Sequence, residues 1–336
     1  MDFAIKNIVI ATVIFGTILV IIFENRNPVK TIAWCMVLTF MPVIGLLLYI
    51  LFGMDNRHRR QIKDEDLSRL KGITEITQSD DILSEMPVPQ KPLADMLSKM
   101  NKSFLLSGND VEIITDFQTM SDRLIADIEG ARHHINMLFF KFEDDAAGRR
   151  IADALIRKSE EGVLVRLIYD DAGNLMVPRR FYRKLRKHGI QVRGFIRIFL
   201  PILSRDYNSR NHRKVVVIDG RVGYMGGMNI AQRYAEGLKW GIWRDTHMRI
   251  TGPAVSELQT SFLTDWKFTK GDEPDLAPMY PYNPPCGNTL MQIVTGGPMD
   301  KWNVMMQAYM TAIASARHHA YLQSPYFIPP EPIMKT

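Results

Sequence analysis

The 336-residue chain is 46% hydrophobic and 23% charged, which excludes a disordered or low-complexity polymer and leaves room for a sizeable core. Its net charge of +6 favours an anionic partner, whether nucleic acid, phosphate ester or acidic lipid surface, without choosing among them. Two cysteines, Cys35 in an apolar run and Cys286 in a proline-rich one, exclude a disulfide framework and a cysteine-based zinc site.

Residues 8–23 form an unbroken apolar run, and residues 31–52 carry no charge, enough for a helix to cross a hydrocarbon core about 30 Å thick. Both are read as membrane spans, making 1–56 a two-helix anchor. A cleaved signal peptide fits poorly, because Glu24-Asn25-Arg26-Asn27-Pro28 replaces a small-residue cleavage site and a second span follows at once. Trp34 and Tyr49 are expected in the headgroup layers towards opposite ends of that span. Lys6, Arg57, Arg59, Arg60 and Lys63 outweigh Arg26 and Lys30 in the short hairpin, which places the bulk of the chain in the cytoplasm.

Residues 57–110 turn polar and are punctuated by Pro87, Pro89 and Pro92, so they are expected to form a connector with little core. From Val111 the pattern alternates as in an α/β domain. Strands are expected over 111–115, 135–142, 163–169, 191–195 and 246–250, and helices over 121–131, 147–161 and, strongly basic, 178–187. Another helix opens at Pro253 with Leu258, Phe262 and Trp266 on one face. Between them, 213–218 and 222–228 read as a hairpin turning through Asp219-Gly220. The first α/β half is thus 111–270. Ala131-Arg132-His133-His134 returns as Ala316-Arg317-His318-His319 before a second aromatic strand, so 271–336 reads as a connector and the start of a duplicated half. In that copy, a counterpart of the motif at His212 would fall beyond Thr336.

The chemistry concentrates at His212 and Lys214. Two apart on one strand, they project to one face while Val215 and Val217 take the other. An imidazole is a competent nucleophile towards phosphorus, and a neighbouring ammonium can neutralise non-bridging phosphate oxygens. Gly226-Gly227-Met228-Asn229 supplies small residues, Gly227 among them, that let backbone approach a phosphate, with an amide on Asn229 to donate to it. In Trp243-Arg244-Asp245-Thr246-His247, the Asp245 carboxylate could fix the tautomer of His212.

His212-x-Lys214-x4-Asp219 followed by Gly-Gly-x-Asn resembles the phospholipase D superfamily signature. Within it, residues 25–34, 210–214, 243–247 and 323–329 resemble bacterial cardiolipin synthases. The resemblance implies two similar α/β halves, each a mixed sheet flanked by helices, with the second half incomplete here. It implies a reaction between two phosphatidylglycerol molecules that gives cardiolipin and glycerol without metal, nucleotide or other cofactor. On these terms His212 forms a phosphatidyl-histidine, Lys214 and Asn229 hold phosphate oxygens, Asp245 orients His212, and the protein sits in the bacterial inner membrane with no nucleic acid as partner. Asp219 belongs to the signature and is carried over as catalytic, although its opposite face and following glycine suit a turn-shaping role.

Other residues are read more plainly. His133, His134, His318 and His319 are expected to end helices and to bind no zinc. Phe139 and Phe140 are expected in the core. The basic run Arg179, Arg180, Arg183, Lys184, Arg186 and Lys187 suits either anionic headgroups or solvent. Competing functions are a phosphodiesterase or nuclease of the same superfamily acting as a homodimer, and an inactive remnant.

Overall fold

The computed structural model describes residues 2–23, 28–53, 90–196, 210–239, 241, 243–297, 303–324 and 326–335. Residues 57–89 of the connector expected over 57–110, and the basic flanks at Arg26, Arg57, Arg59, Arg60 and Lys63, lie outside the described residues. Contacts divide the chain into two compact units, residues 1–59 with 198–209, and residues 60–197 with 210–336.

The first unit contains helices α1 (Asp2–Phe23), α2 (Pro28–Phe40) and α3 (Pro42–Leu48), closed by a π-helical turn over Tyr49–Gly53. The stretch Ile5–Phe23, with a mean hydropathy of 2.4, is the one helix among the described residues long and apolar enough to cross a membrane. The second expected span is not one helix. Proline at residue 42 has no N–H to continue the ladder and sits at the first position of α3, where its fixed φ is favourable. The chain then doubles back. Trp34 and Tyr49, expected far apart, meet edge to face at 5.5 Å, whereas a straight helix would separate them by about 22 Å. Gly45 permits this approach, since a Cβ there would lie 2.7 Å from the Val37 carbonyl oxygen. Ile21, Leu38 and Tyr49 form the unit's small core.

In the second unit, α4 (Lys91–Asn101) precedes β1 (Leu105–Ile114), α5 (Phe117–Gly130), β2 (His134–Phe139), α6 (Ala146–Glu160), β3 (Leu164–Asp170), α7 (Arg179–Lys187) and β4 (Gln191–Phe195). Then come β5 (Val215–Ile218), β6 (Val222–Gly226), α8 (Arg233–Glu236), β7 (His247–Thr251), α9 (Val255–Phe268), β8 (Thr289–Gln292), α10 (Val304–Ala314) and α11 (Glu331–Lys335). The strands form one mixed sheet in the order β4-β3-β2-β5-β6-β7-β1-β8. Asp116 and Asp145 cap α5 and α6 by accepting from the N–H groups of Thr119 and Gly148.

Two layers of helices cover the sheet. Leu124, Ile128, Ile151, Leu155, Phe181 and Leu185 bury Ile135, Met137, Phe139, Val216 and Ile218 on one face. Leu258 of α9 packs with Val215, Val217 and Ile250 on the other, and Phe262 and Trp266 pack with Leu138 and Ile168. The mixed α/β fold with flanking helices is the expected one.

Three expectations change. Core begins before Val111, because β1 starts at Leu105 with Leu105 and Leu106 buried, and α4 buries Ala94 and Leu97. His134 does not end a helix; it is buried in β2, and loss of hydration drives its imidazole down to about 4, so it is neutral. Finally, β5 starts at Val215, so His212 and Lys214 precede the strand.

The register decides where the chemistry gathers. β2 runs parallel to β3 and antiparallel to β5, and β5, β6 and β7 alternate in direction. The C-terminal ends of β2, β3 and β6 therefore share one edge with the beginnings of β5 and β7. Phe140, Asp170, His212, Lys214, Gly227 and Asp245 all fall there. Asp219 closes the β5–β6 hairpin at the opposite edge, several strand residues away at about 3.3 Å each.

Candidate active site

The segment before β5 is pinned on both sides of His212. Asp170, buried at the end of β3, accepts the backbone N–H of Asn211 at 2.9 Å and that of Gly173 at 3.0 Å. The Asn211 side-chain oxygen accepts the Arg213 N–H at 3.1 Å. The Arg213 guanidinium in turn donates to both oxygens of Asp265 at 2.7 Å and to the Gly296 carbonyl at 3.0 Å. With residues 211 and 213 turned towards these anchors, His212 and Lys214 turn together to the other side.

Lys214 is buried and His212 is solvent-accessible. The ammonium lies 3.2 Å from Nδ1 and 3.3 Å from Nε2 of His212 and donates to the His212 carbonyl at 2.7 Å. Beneath both sits Phe140, its ring centroid 4.6 Å from that of the imidazole and 5.5 Å from the ammonium. Tyr326 stands edge-on to the imidazole at 6.3 Å.

The electrostatics follow from this packing. Burial lowers the His212 pKa and the Lys214 ammonium lowers it further, against an opposing pull from Asp245. Burial brings Lys214 down to about 8, again opposed by Asp245. Near pH 7 the imidazole is thus mostly neutral and the ammonium charged. A neutral ring nitrogen open to solvent is competent to attack phosphorus, and the adjacent cation is placed to neutralise charge on its oxygens.

The remaining expected residues have other partners. Asp245 makes no hydrogen bond to His212; its Oδ1 accepts the Thr246 N–H at 2.7 Å, and its influence on His212 and Lys214 is through space. Asn229 is buried, its oxygen accepting the Lys141 N–H at 3.0 Å and its amide nitrogen donating to the Tyr234 hydroxyl at 2.8 Å. These bonds tie the stretch after β6 to the stretch after β2. Gly227 leaves room for the Asp245 side chain, since a Cβ there would meet its carboxylate oxygen at 2.0 Å.

Asp219 lies apart from the other expected residues. Its carboxylate accepts the N–H groups of Arg132, His133 and His134 at 2.8, 2.8 and 2.9 Å, at the edge of the sheet away from His212. With φ of 52° it also makes the hairpin turn together with Gly220. Its geometry fits a clamp between the hairpin and the start of β2.

Three contributors escaped the sequence reading. Phe140, expected in the core, is half-buried and forms the site's floor. Asp170 and Asn174 were passed over. Asn174 accepts the Phe142 N–H at 2.9 Å and donates to the carbonyls of Phe140 and Asp170, each at 2.7 Å. A carboxylate ending a strand buried on both faces was the available signal for Asp170. Among the described residues, no group of three or more potential metal-ligating side chains occurs.

Known families match both the N-terminal apolar part of this chain and its sheet. The family profile described as "Cardiolipin synthase, PLD-like domain" matches residues 124–266, and one described as "Phospholipase_D-nuclease N-terminal" matches residues 12–53. The major cardiolipin synthase ClsA of Bacillus subtilis is 37% identical over 97% of this chain and 69% of its own length. A cardiolipin synthase of Oceanobacillus iheyensis is 36% identical over 93% of this chain and 67% of its own. Among solved structures, phosphatidylserine synthase of Haemophilus influenzae aligns with a TM-score of 0.41 at 18% identity, over 51% of this chain and 40% of its own.

Proposed function

Because this chain belongs to the cardiolipin synthase family of phospholipase D-like proteins, we propose that it joins two phosphatidylglycerol molecules into cardiolipin, with release of glycerol, through a phosphohistidine at His212. The observation that carries this reading is the charged Lys214 ammonium beside a neutral, accessible imidazole.

In the first half-reaction a ring nitrogen of His212 attacks phosphorus. The N–P bond forms, the bond from phosphorus to the headgroup glycerol oxygen breaks, and that oxygen takes a proton as glycerol departs. Lys214 offsets the charge on the non-bridging oxygens throughout. In the second, the terminal hydroxyl of another phosphatidylglycerol loses its proton and attacks phosphorus, and the imidazole is released. While bonded to phosphorus, His212 cannot also move these protons, so a separate acid–base group has to complete the cycle. The protein would work at a bacterial cell membrane through its apolar N-terminal unit, with the sheet unit in the cytoplasm.

The test is to reconstitute the full chain in vesicles containing phosphatidylglycerol labelled at phosphorus, then quench with detergent and map the protein-bound label. Acid-labile label on a peptide containing His212, lost in His212→Ala, together with cardiolipin and glycerol as products, is the expected result. Cleavage of DNA without any lipid turnover would overturn the reading.

A further inference from the structure

One surface at the site's edge is not used by this chemistry. Between β3 and α7 the chain makes a tight turn over residues 174–177, in which the Val177 N–H donates to the Asn174 carbonyl at 3.0 Å. Its two central residues are Leu175 and Met176, 48% and 96% exposed. Turn centres normally carry Gly, Asn, Asp or Pro, so two large apolar side chains held out in water need a reason.

Basic charge follows at once. α7 buries Phe181, Tyr182 and Leu185, and turns Arg179, Arg180, Arg183, Lys184 and Lys187 outward. Lys184 pairs with Asp153 at 3.1 Å, whereas Arg179, Arg180, Arg183 and Lys187 have no acidic partner among the described residues. Exposed apolar residues beside unneutralised cations match the chemistry of a bilayer surface, with acyl chains to receive the one and anionic headgroups the other.

From these observations we infer that the 174–177 turn and the first turns of α7 form a membrane-docking surface for an anionic lipid bilayer, with Leu175 and Met176 inserted and Arg179, Arg180 and Arg183 on the headgroups. The turn is fixed to the site, because the Asn174 side chain holds the backbone of Phe140 and Phe142 and the Asp170 carbonyl. Docking there would hold the backbone of Phe140, whose ring lies under His212, close to the lipid surface. The inference goes beyond the proposed reaction and is tested without turnover, so either can fail alone.

The test uses the full chain carrying Cys35→Ser, Cys286→Ser and Met176→Cys, labelled at position 176 with an environment-sensitive fluorophore and reconstituted into vesicles. With phosphatidylglycerol present in phosphatidylcholine, the expected result is a blue-shifted emission that brominated acyl chains quench. Phosphatidylcholine alone, high salt, or the triple reversal Arg179→Glu, Arg180→Glu, Arg183→Glu should each remove the shift. A control label at Gln118, exposed on α5, should stay water-like throughout. Water-like emission at position 176 in both lipids, or quenching indifferent to the charge reversal, would overturn the inference.

Discussion

The Asp170 carboxylate accepts the Asn211 N–H at 2.9 Å, so the end of β3 holds the residue immediately before His212. With Asn174 bonded to the Asp170 carbonyl and to the Phe140 backbone, the imidazole and the ring beneath it are referred to one buried anchor.

Removing that anchor should loosen the site and the fold together. Asp170→Ala leaves the Asn211 and Gly173 N–H groups without their acceptor, at a cost of about 1–3 kcal/mol for each buried donor. A lowered unfolding midpoint for the reconstituted chain, and lipid turnover reduced even below that midpoint, is the expected outcome. Asp170→Asn, which keeps one acceptor oxygen, should lose less of both.

Turnover should follow a bell-shaped pH profile. The proposed nucleophile is active when unprotonated, above its lowered value and hence already below pH 6.5, while Lys214 is useful when protonated, below about 8. Activity therefore rises through the acid limb and falls through an alkaline limb near 8. Lys214→Arg should carry the alkaline limb upwards, and Lys214→Met should abolish that limb along with most of the rate. A profile in which Lys214→Met keeps the same alkaline limb would assign it to another group.

Asp245 raises the proton affinity of both groups, so its charge sets where the bell sits. Asp245→Asn removes that pull, and both limbs should move to lower pH with the width little changed. Gly227→Ala should act on the same carboxylate by displacing it, since the added Cβ would lie 2.0 Å from its oxygen. The pH dependence of kcat/KM for the two variants checks this directly.

Asp219→Ala separates folding from chemistry. Burial works against the charged Asp219 carboxylate, but the three backbone N–H groups it accepts outweigh burial and hold its pKa below the usual range. A carboxylate depressed on folding contributes stability above its unfolded value, about 3.9, which is lost as pH falls through the lower native value. The variant should thus be less stable at neutral pH, by about 1–3 kcal/mol, and should show a shallower further loss in acid. Turnover per folded molecule should stay within a few-fold of the parent; complete loss in well-folded protein would return Asp219 to a direct role.

Much of this molecule is local pattern, and that part was readable in advance. The alternation of apolar residues marked the strands and helices from Val111 to Trp266, and Asp219-Gly220 marked the hairpin, because backbone periodicity and turn chemistry decide such things. The shared side of His212 and Lys214, which precede the strand, is set by the long-range anchors on Asn211 and Arg213. Partner choice was not readable. Asn229 and Gly227 meet Lys141, Tyr234 and Asp245 because the ends of β2 and β6 and the beginning of β7 converge on one edge of the sheet, and Phe140 leaves the core because His212 arrives above it from a distant segment. In the apolar unit the single charge-free run hid a reversal at Pro42 that brings Trp34 onto Tyr49. Composition reports how apolar a segment is; only packing decides which way it turns and what each polar group finds when it gets there.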